Sequence, residues 1–314
     1  MASAIALALL FPGAAHAKLT RFVVDPVRSQ SLAFGGHSFA GVGQYEKIVG
    51  TAFGEVDPND PKNAVMVDLG LAPRNANGNV EYSFSFYILK PIDLSKGAHK
   101  VMYEPPNRGN KTWANLARFT GSTNDPGSQT DPAILDDNFF LPRGYTLVFS
   151  GWDQAAGPPT AASDAAFVST IDLSKTIQSG PVTGPGYEYI VTGGGTAALT
   201  YPAASLDKSK ATLTHRVHLD DMPKVLSSSQ WDFNAAGTSI KLNQSADAAC
   251  STATPPVCTF IANDIYEFMY TAKNPTVNTI GLAAIRDFNA WLRFEKADGS
   301  SPPNPNPLAG DIQR

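Results

Sequence analysis

Charge is scarce in this chain: only 17% of its residues are Asp, Glu, Lys or Arg, against roughly 25% in an average soluble domain. The formal net charge is -4 and no run of Lys or Arg occurs. A phosphate backbone therefore has no basic footprint to bind, and nucleic acid is not an expected partner. No apolar stretch approaches the length of about 20 residues that a membrane-spanning helix needs, so no membrane span is expected. Cysteine is limited to two residues and histidine to five. What is plentiful is turn chemistry: 26 glycines and 24 prolines lie within a chain that is 43% hydrophobic. That composition predicts a globular protein with a sizeable core, many ordered loops and a Ser/Thr/Asn/Gly-rich surface. Such a surface suits neutral or weakly polar partners.

Residues 1–17 stand apart. The short apolar run AIALALLF is followed by Ala15-His16-Ala17 and then Lys18, which fits a secretory signal peptide with a small-x-small cleavage site. The basic segment that normally precedes the apolar run is missing, so the start is expected to lie inside a longer signal. Export to the periplasm or beyond changes how Cys250 and Cys258 read. They flank the loop STATPPV, and in an oxidising compartment a local disulfide is the expected pairing. A metal site is the weaker reading, since two cysteines with no nearby histidine cannot complete a tetrahedral shell.

Residues 18–170 begin β-rich. RFVVD (21–25), IVGTAFGEV (48–56) and AVMVDL (64–69) are β-branched or aromatic runs bounded by Gly, Pro and Asn, which read as paired antiparallel strands; VEYSFSFYIL (80–89) alternates and HKVMY (99–103) follows as a short strand. Asp131-Pro132 then opens a helical pattern through Ile134, Leu135 and Phe139, and Gly144 closes it before the apolar strand YTLVFS (145–150). The expectation is an open mixed sheet that starts antiparallel and becomes parallel. Residues 171–262 are rich in Thr, Ser, Gly and Tyr, with YEYIVT and ATLTHRV as strand-like runs, and read as a β-rich insertion or cap. The main fold is expected to return over residues 263–314, where a helix at 281–295 shows Leu282, Ile285, Phe288 and Leu292 on one face.

Candidate chemistry is sparse. Ser38 sits in Gly36-His37-Ser38-Phe39-Ala40, close to the G-x-S-x-G nucleophile elbow except that Ala replaces the last glycine, where a Cβ crowds the turn; a Gly-rich loop is the plainer reading. His37 and His99 stand alone in the sequence. His215 and His218 are three apart in a strand-like run and turn to opposite faces, so no metal site and no catalytic histidine is expected. No cofactor motif is present. Gly151-Trp152-Asp153 follows an apolar strand, where a loop can offer backbone N–H groups to an oxyanion. It reads either that way, with Gly151 and Trp152 as donors and Asp153 near the pocket, or as a turn around a buried tryptophan. Asn107-Arg108-Gly109, after EPP, is either a plain turn or a strand-end loop whose Arg108 is fixed by a carboxylate.

Several blocks carry a family resemblance. GGHSFAGVGQYEKIVGTAFGEVDPNDPKN, VDLGLAPRNANGNVEYSFSFYILKP, YEPPNRGNK, LPRGYTLVFSGWD and YEFMYTAKNPTVNTIGLAAIRDFNAWLRFE resemble the bacterial "alpha/beta hydrolase domain" family of large exported proteins, from about residue 21 onward. The resemblance implies an incomplete α/β-hydrolase-like mixed sheet with a β-rich insertion. It implies a serine hydrolase acting on small-molecule carboxylic esters. In that family the run equivalent to LAGDIQR leads into a serine elbow, with the acid and histidine later still. None of these follows here, so the chain is expected to be the N-terminal portion, inactive alone. The second expectation, from a different class, is a secreted, non-catalytic β-rich binding or structural module.

Overall fold

The computed structural model describes residues 19–106, 110–113, 124–153, 171–172, 182–243, 247–253 and 256–313. Residues 1–17, read from the sequence as a signal peptide, and Asn107-Arg108-Gly109 lie outside them. The chain divides into two compact units, one formed by residues 1–70, 74–174 and 277–314 and the other by residues 71–73 and 175–276.

The first unit is built on one sheet. Its strands are β1 (Leu19–Val24), β2 (Tyr45–Val56), β3 (Val80–Pro91), β4 (Val101–Glu104), β5 (Thr146–Ser150) and β6 (Ile171–Asp172). The order is β1-β2-β3-β5-β4, with β6 also paired to β3. Every pairing is antiparallel except β4 with β5. VEYSFSFYILKP makes β3 the spine because it is apolar on both faces, and ten of its twelve residues are buried in the pattern BeBiBBBBBBBB. Helix α2 (Ile280–Phe294) covers one face: Phe288 lies 5.2 Å from the Phe84 ring, and Phe22 stacks on Phe86 at 4.2 Å. Gly50 on β2 permits that packing, since a Cβ there would stand 2.0 Å from the Val23 carbonyl oxygen and 2.7 Å from the Phe86 ring. Tyr45, Tyr87, Leu89, Leu147 and Phe149 form the core on the opposite side. Asn306 caps α2 by donating its amide to the carbonyls of Trp291, Leu292 and Glu295, at the end where a helix leaves carbonyls unsatisfied.

Two expectations about helices change here. Helix α1 (Pro132–Asp136) has only five residues, because Asn138 turns its side chain onto the Phe140 and Leu141 amides and ends the helical run. Phe139, assigned to its apolar stripe, is 57% exposed. On α2, Leu282 is exposed, and the buried stripe is Ile280, Ala283, Ala284, Phe288, Trp291 and Leu292. The run AVMVDL is not a strand: residues 64–68 form turns, held by the Asp60 side chain on the Lys62 amide and by Asn63 on the Asp57 carbonyl.

Apart from a 3₁₀ turn at Lys208–Lys210, the regular elements described in the second unit are strands: β7 (Thr183–Ile190), β8 (Ala197–Ala198), β9 (Thr212–Arg216), β10 (Lys224–Val225), β11 (Trp231–Phe233), β12 (Ser239–Leu242), β13 (Ala249–Cys250), β14 (Cys258–Thr259) and β15 (Ile265–Lys273). They form an antiparallel four-stranded sheet in the order β10-β9-β15-β7, a three-stranded sheet β11-β12-β8 and the hairpin β13-β14. Residues 265–273, read from sequence as part of the return to the first sheet, are a central strand of this unit. Trp231, Phe268, Leu213, Ile240 and Phe260 fill its core.

The fold is therefore not the α/β-hydrolase-like mixed sheet expected from the sequence. Most of the described elements are strands in several small, mainly antiparallel sheets, with two α-helices among the described residues. A sheet that is parallel throughout needs helical crossovers, and among the described residues turns and short 3₁₀ segments occupy most of the connections.

Candidate ligand-binding face

Strand β7 is built inside out. A strand on the border of a core normally turns its large apolar side chains inward and its small or polar ones to water. In TGPGYEYI the alternation runs the other way: Thr183, Pro185, Tyr187 and Tyr189 are exposed, and Gly184, Gly186 and Glu188 face inward. Tyr270 on β15 explains the inner side. A Cβ on Gly186 would stand 2.6 Å from the Tyr270 ring, so glycine lets that ring lie flat beneath the strand. The Tyr270 hydroxyl shares its one proton between Glu188 Oε1 and the Tyr201 carbonyl, at 2.9 and 2.8 Å. Thr200 donates to the same carboxylate through its amide and its hydroxyl, at 2.6 and 2.9 Å.

The pairing register assembles the outer side. Tyr187 stands opposite Met269, which stands opposite Thr212; Tyr189 stands opposite Glu267, which stands opposite Thr214. Tyr187, Tyr189 and Met269 are 54%, 51% and 45% exposed, and large apolar side chains grouped in this way mark contact surfaces. The Tyr187 hydroxyl donates to Glu267 Oε1 at 2.7 Å, and Arg216 meets Glu267 Oε2 at 3.1 Å. That hydrogen bond, with some burial, raises the Tyr187 pKa and keeps the phenol neutral. An open groove of about 460 Å³ continues from this platform, lined by Thr183, Pro185, Met269, Thr271, Thr212 and Lys210. The result is a sheet face carrying two exposed rings, that of Tyr187 anchored by its hydrogen bond, together with a thioether and a hydroxyl-rich border.

Two charged clusters lie beneath the surface. In the second unit the His215 ring stands between Asp247 (Nδ1 to Oδ1, 3.1 Å) and Asp264 (Nε2 to Oδ2, 2.8 Å) and stacks on Tyr266 at 4.5 Å. Burial pushes the Asp247 carboxyl up, but hydrogen bonds from Lys224, His215 and Gln230 outweigh it and hold that group below the usual carboxylate range. In the first unit Tyr87 donates to Asp125 at 2.6 Å, and Lys47 Nζ is 3.3 Å from the same carboxylate. Lys111 Nζ donates to the Asn124 carbonyl at 2.6 Å and lies 4.7 Å from the Tyr87 ring centre. Burial brings the Lys111 pKa down from 10.5 to about 7, against the pull of Asp125 and Glu104. Both clusters staple neighbouring segments together.

Gly151 is buried, and its N–H donates to the Ser85 carbonyl at 2.9 Å, so that donor is engaged within the sheet. Trp152 is half-buried and gives its indole N–H to the Pro106 carbonyl at 2.8 Å; Asp153 beside it is also half-buried. Just before them, the Ser150 hydroxyl bonds Tyr103, whose pKa burial pushes up to about 12. Arg108 is outside the described residues. Ser38 is exposed in its loop. The histidines are not alone: His37 meets Asp136 at 2.8 Å, His99 meets Asp311 at 2.7 Å and His218 meets Asp221 at 3.2 Å. The first two pairs join residues 99 and 212 positions apart, a separation no local pattern reveals. Cys250 and Cys258 form a disulfide across the β13-β14 hairpin. Among the described residues no group of three or more His, Cys, Asp and Glu is placed to hold a metal ion.

The β7 face was missed in the sequence, although a signal existed: glycine and tyrosine alternate at opposite parity in TGPGYEYI. Comparison of the chain with protein-family models, with curated proteins and with solved structures finds no match.

Proposed function

We propose that this is an exported, non-catalytic binding protein whose ligand surface is the outer face of the β7-β15-β9 sheet. The single observation that carries the reading is the inverted strand: β7 commits glycine to the core side and two tyrosines to water, an arrangement that stability alone does not favour. The hydrogen bond to Glu267, itself held by Arg216, orders the Tyr187 ring, so little of its rotamer freedom is lost on contact. The Cys250–Cys258 bridge supports an oxidising compartment. No described helix is long and apolar enough to cross a membrane. The ester-hydrolase reading depended on a fold that this chain does not have, and no observation at Gly151 or Trp152 favours it.

The test compares the native chain with the Tyr187→Ala/Tyr189→Ala variant on three immobilised polymers: a neutral polysaccharide, an acidic polysaccharide and denatured casein. Retention of the native chain on at least one polymer, with at least tenfold weaker retention of the variant, is the expected outcome. No retention anywhere, or equal retention of both proteins, overturns the proposal, as does hydrolysis of a nitrophenyl ester that Ser38→Ala abolishes.

A further inference from the structure

The chemistry of the face identifies its ligand class. Resting on the reading of β7 as a binding surface, we infer that the occupant is an extended neutral polysaccharide, which lays the C–H faces of successive sugar rings on Tyr187 and Tyr189. Residues two apart on a strand point the same way, roughly 7 Å from each other, so the two phenol rings form a tandem platform. An aromatic face is electron-rich and attracts the slightly positive C–H groups that line the flat side of a pyranose. The hydroxyls at the sugar's rim then need donors and acceptors in the plane around the rings. Glu267, Arg216, Thr212 and Thr271 supply them on the same sheet face.

Charge selects among ligands that stack on aromatic rings. A single-stranded nucleic acid also stacks, but it requires a positive groove along its backbone. Here the arginine of the platform is paired with Glu267 at 3.1 Å, a single lysine, Lys210, lines the groove, and the chain carries a net charge of -4. A peptide added to the sheet would pair with the backbone edge of β7 and leave the rings on the face uncovered. An acidic polysaccharide would find the platform's arginine already committed to Glu267 and gain no charge pairing there. A neutral chain of sugar rings meets none of these conflicts, and the open ends of the groove accept a polymer without end recognition.

Affinity electrophoresis of the full chain tests this with four soluble neutral polysaccharides (hydroxyethylcellulose, xyloglucan, galactomannan and starch), with polygalacturonate and with casein. We expect at least one neutral polysaccharide to retard the native chain. Tyr187→Ala and Tyr189→Ala are each expected to weaken that retardation at least fivefold, and the double variant to abolish it. Both side chains are exposed, so the variants are expected to melt within a few degrees of the native chain. Tyr187→Phe retains the ring and is expected to keep most of the binding, which separates stacking from loss of fold. Tyrosine-dependent retardation by polygalacturonate or casein alone would overturn the neutral-sugar inference while leaving the binding face in place. Retardation by none of the six, or retardation indifferent to the tyrosines, would overturn both.

Discussion

Replacing Lys111 with methionine is expected to flatten the pH dependence of stability between pH 7 and 9.5. The ammonium of Lys111 lies in the core of the first unit, beneath the Tyr87 ring and 5.7 Å from the Phe149 ring centre. Burial is the largest influence on it and lowers its pKa from 10.5 to about 7; Asp125 and Glu104 oppose that shift, and Lys47 adds to it. Below pH 7 both folded and unfolded chains carry the proton, and the folded state bears the full cost of a buried cation. Between pH 7 and 10.5 the unfolded chain still binds the proton and the folded chain does not, so unfolding free energy rises with pH. The slope is about 1.4 kcal/mol per pH unit, which makes about 3 kcal/mol between pH 7 and 9.5. The window stops at 9.5 because buried tyrosines titrate in the opposite sense. Tyr82 and Tyr103 have pKa values raised by burial, so their contribution is complete below pH 10 and is lost above it. Lys111→Met keeps most of the side-chain volume and removes the proton. Urea unfolding followed by tryptophan fluorescence at half-unit pH steps should give a rising stability for the native chain and a flat one for the variant. A native profile that is flat or falls, or a variant that keeps the native slope, would refute the reasoning.

Asp298→Ala removes a carboxylate that accepts from the amides of Phe22, Ser300 and Asn304 and from both of the latter side chains. We expect a loss of about 2–4 kcal/mol by denaturant titration, since a buried β1 amide is left unpaired. Burial raises the Asp298 carboxyl, but these hydrogen bonds outweigh it and hold it below the usual range, so its contribution should be present at neutral pH and fade as pH falls below about 4. Gly186→Ala should destabilise the second unit by about 1–3 kcal/mol, through collision with the Tyr270 ring; a thermal melt equal to the native one would contradict that. Replacing both Cys250 and Cys258 with serine should cost about 2–3 kcal/mol, the value expected for so short a closed loop, and reductant should then have no further effect on the melt.

Much of the local structure was legible in the sequence, because period and punctuation are local signals. VEYSFSFYIL alternates and ends at Pro91 where the strand ends, and helix α2 begins and ends within one residue of the range read from its apolar spacing. The hairpin bridge followed from eight residues of separation. Strand pairing was not legible, since the apolar run YTLVFS fits a parallel or an antiparallel neighbour equally well and reveals no partner. The same limit hid the site. YEYIVT reads as a strand, but which parity faces water depends on Tyr270, eighty-odd positions away, lying beneath Gly186. His37 and His99 read as solitary because Asp136 and Asp311 come from distant segments. AVMVDL misled for the opposite reason: its β-branched residues are local, but Asp57, Asp60 and Asn63 bind the backbone first and curl it into turns.

The most direct test of the binding face is fluorine NMR of the chain carrying 3-fluorotyrosine, with the Tyr187 and Tyr189 signals assigned by single Tyr→Phe replacements. On titration with the four neutral polysaccharides, at least one is predicted to move or broaden those two signals and leave the buried Tyr45, Tyr82 and Tyr266 signals unchanged. Unchanged Tyr187 and Tyr189 signals at saturating polysaccharide, or changes confined to other tyrosines, would contradict the account.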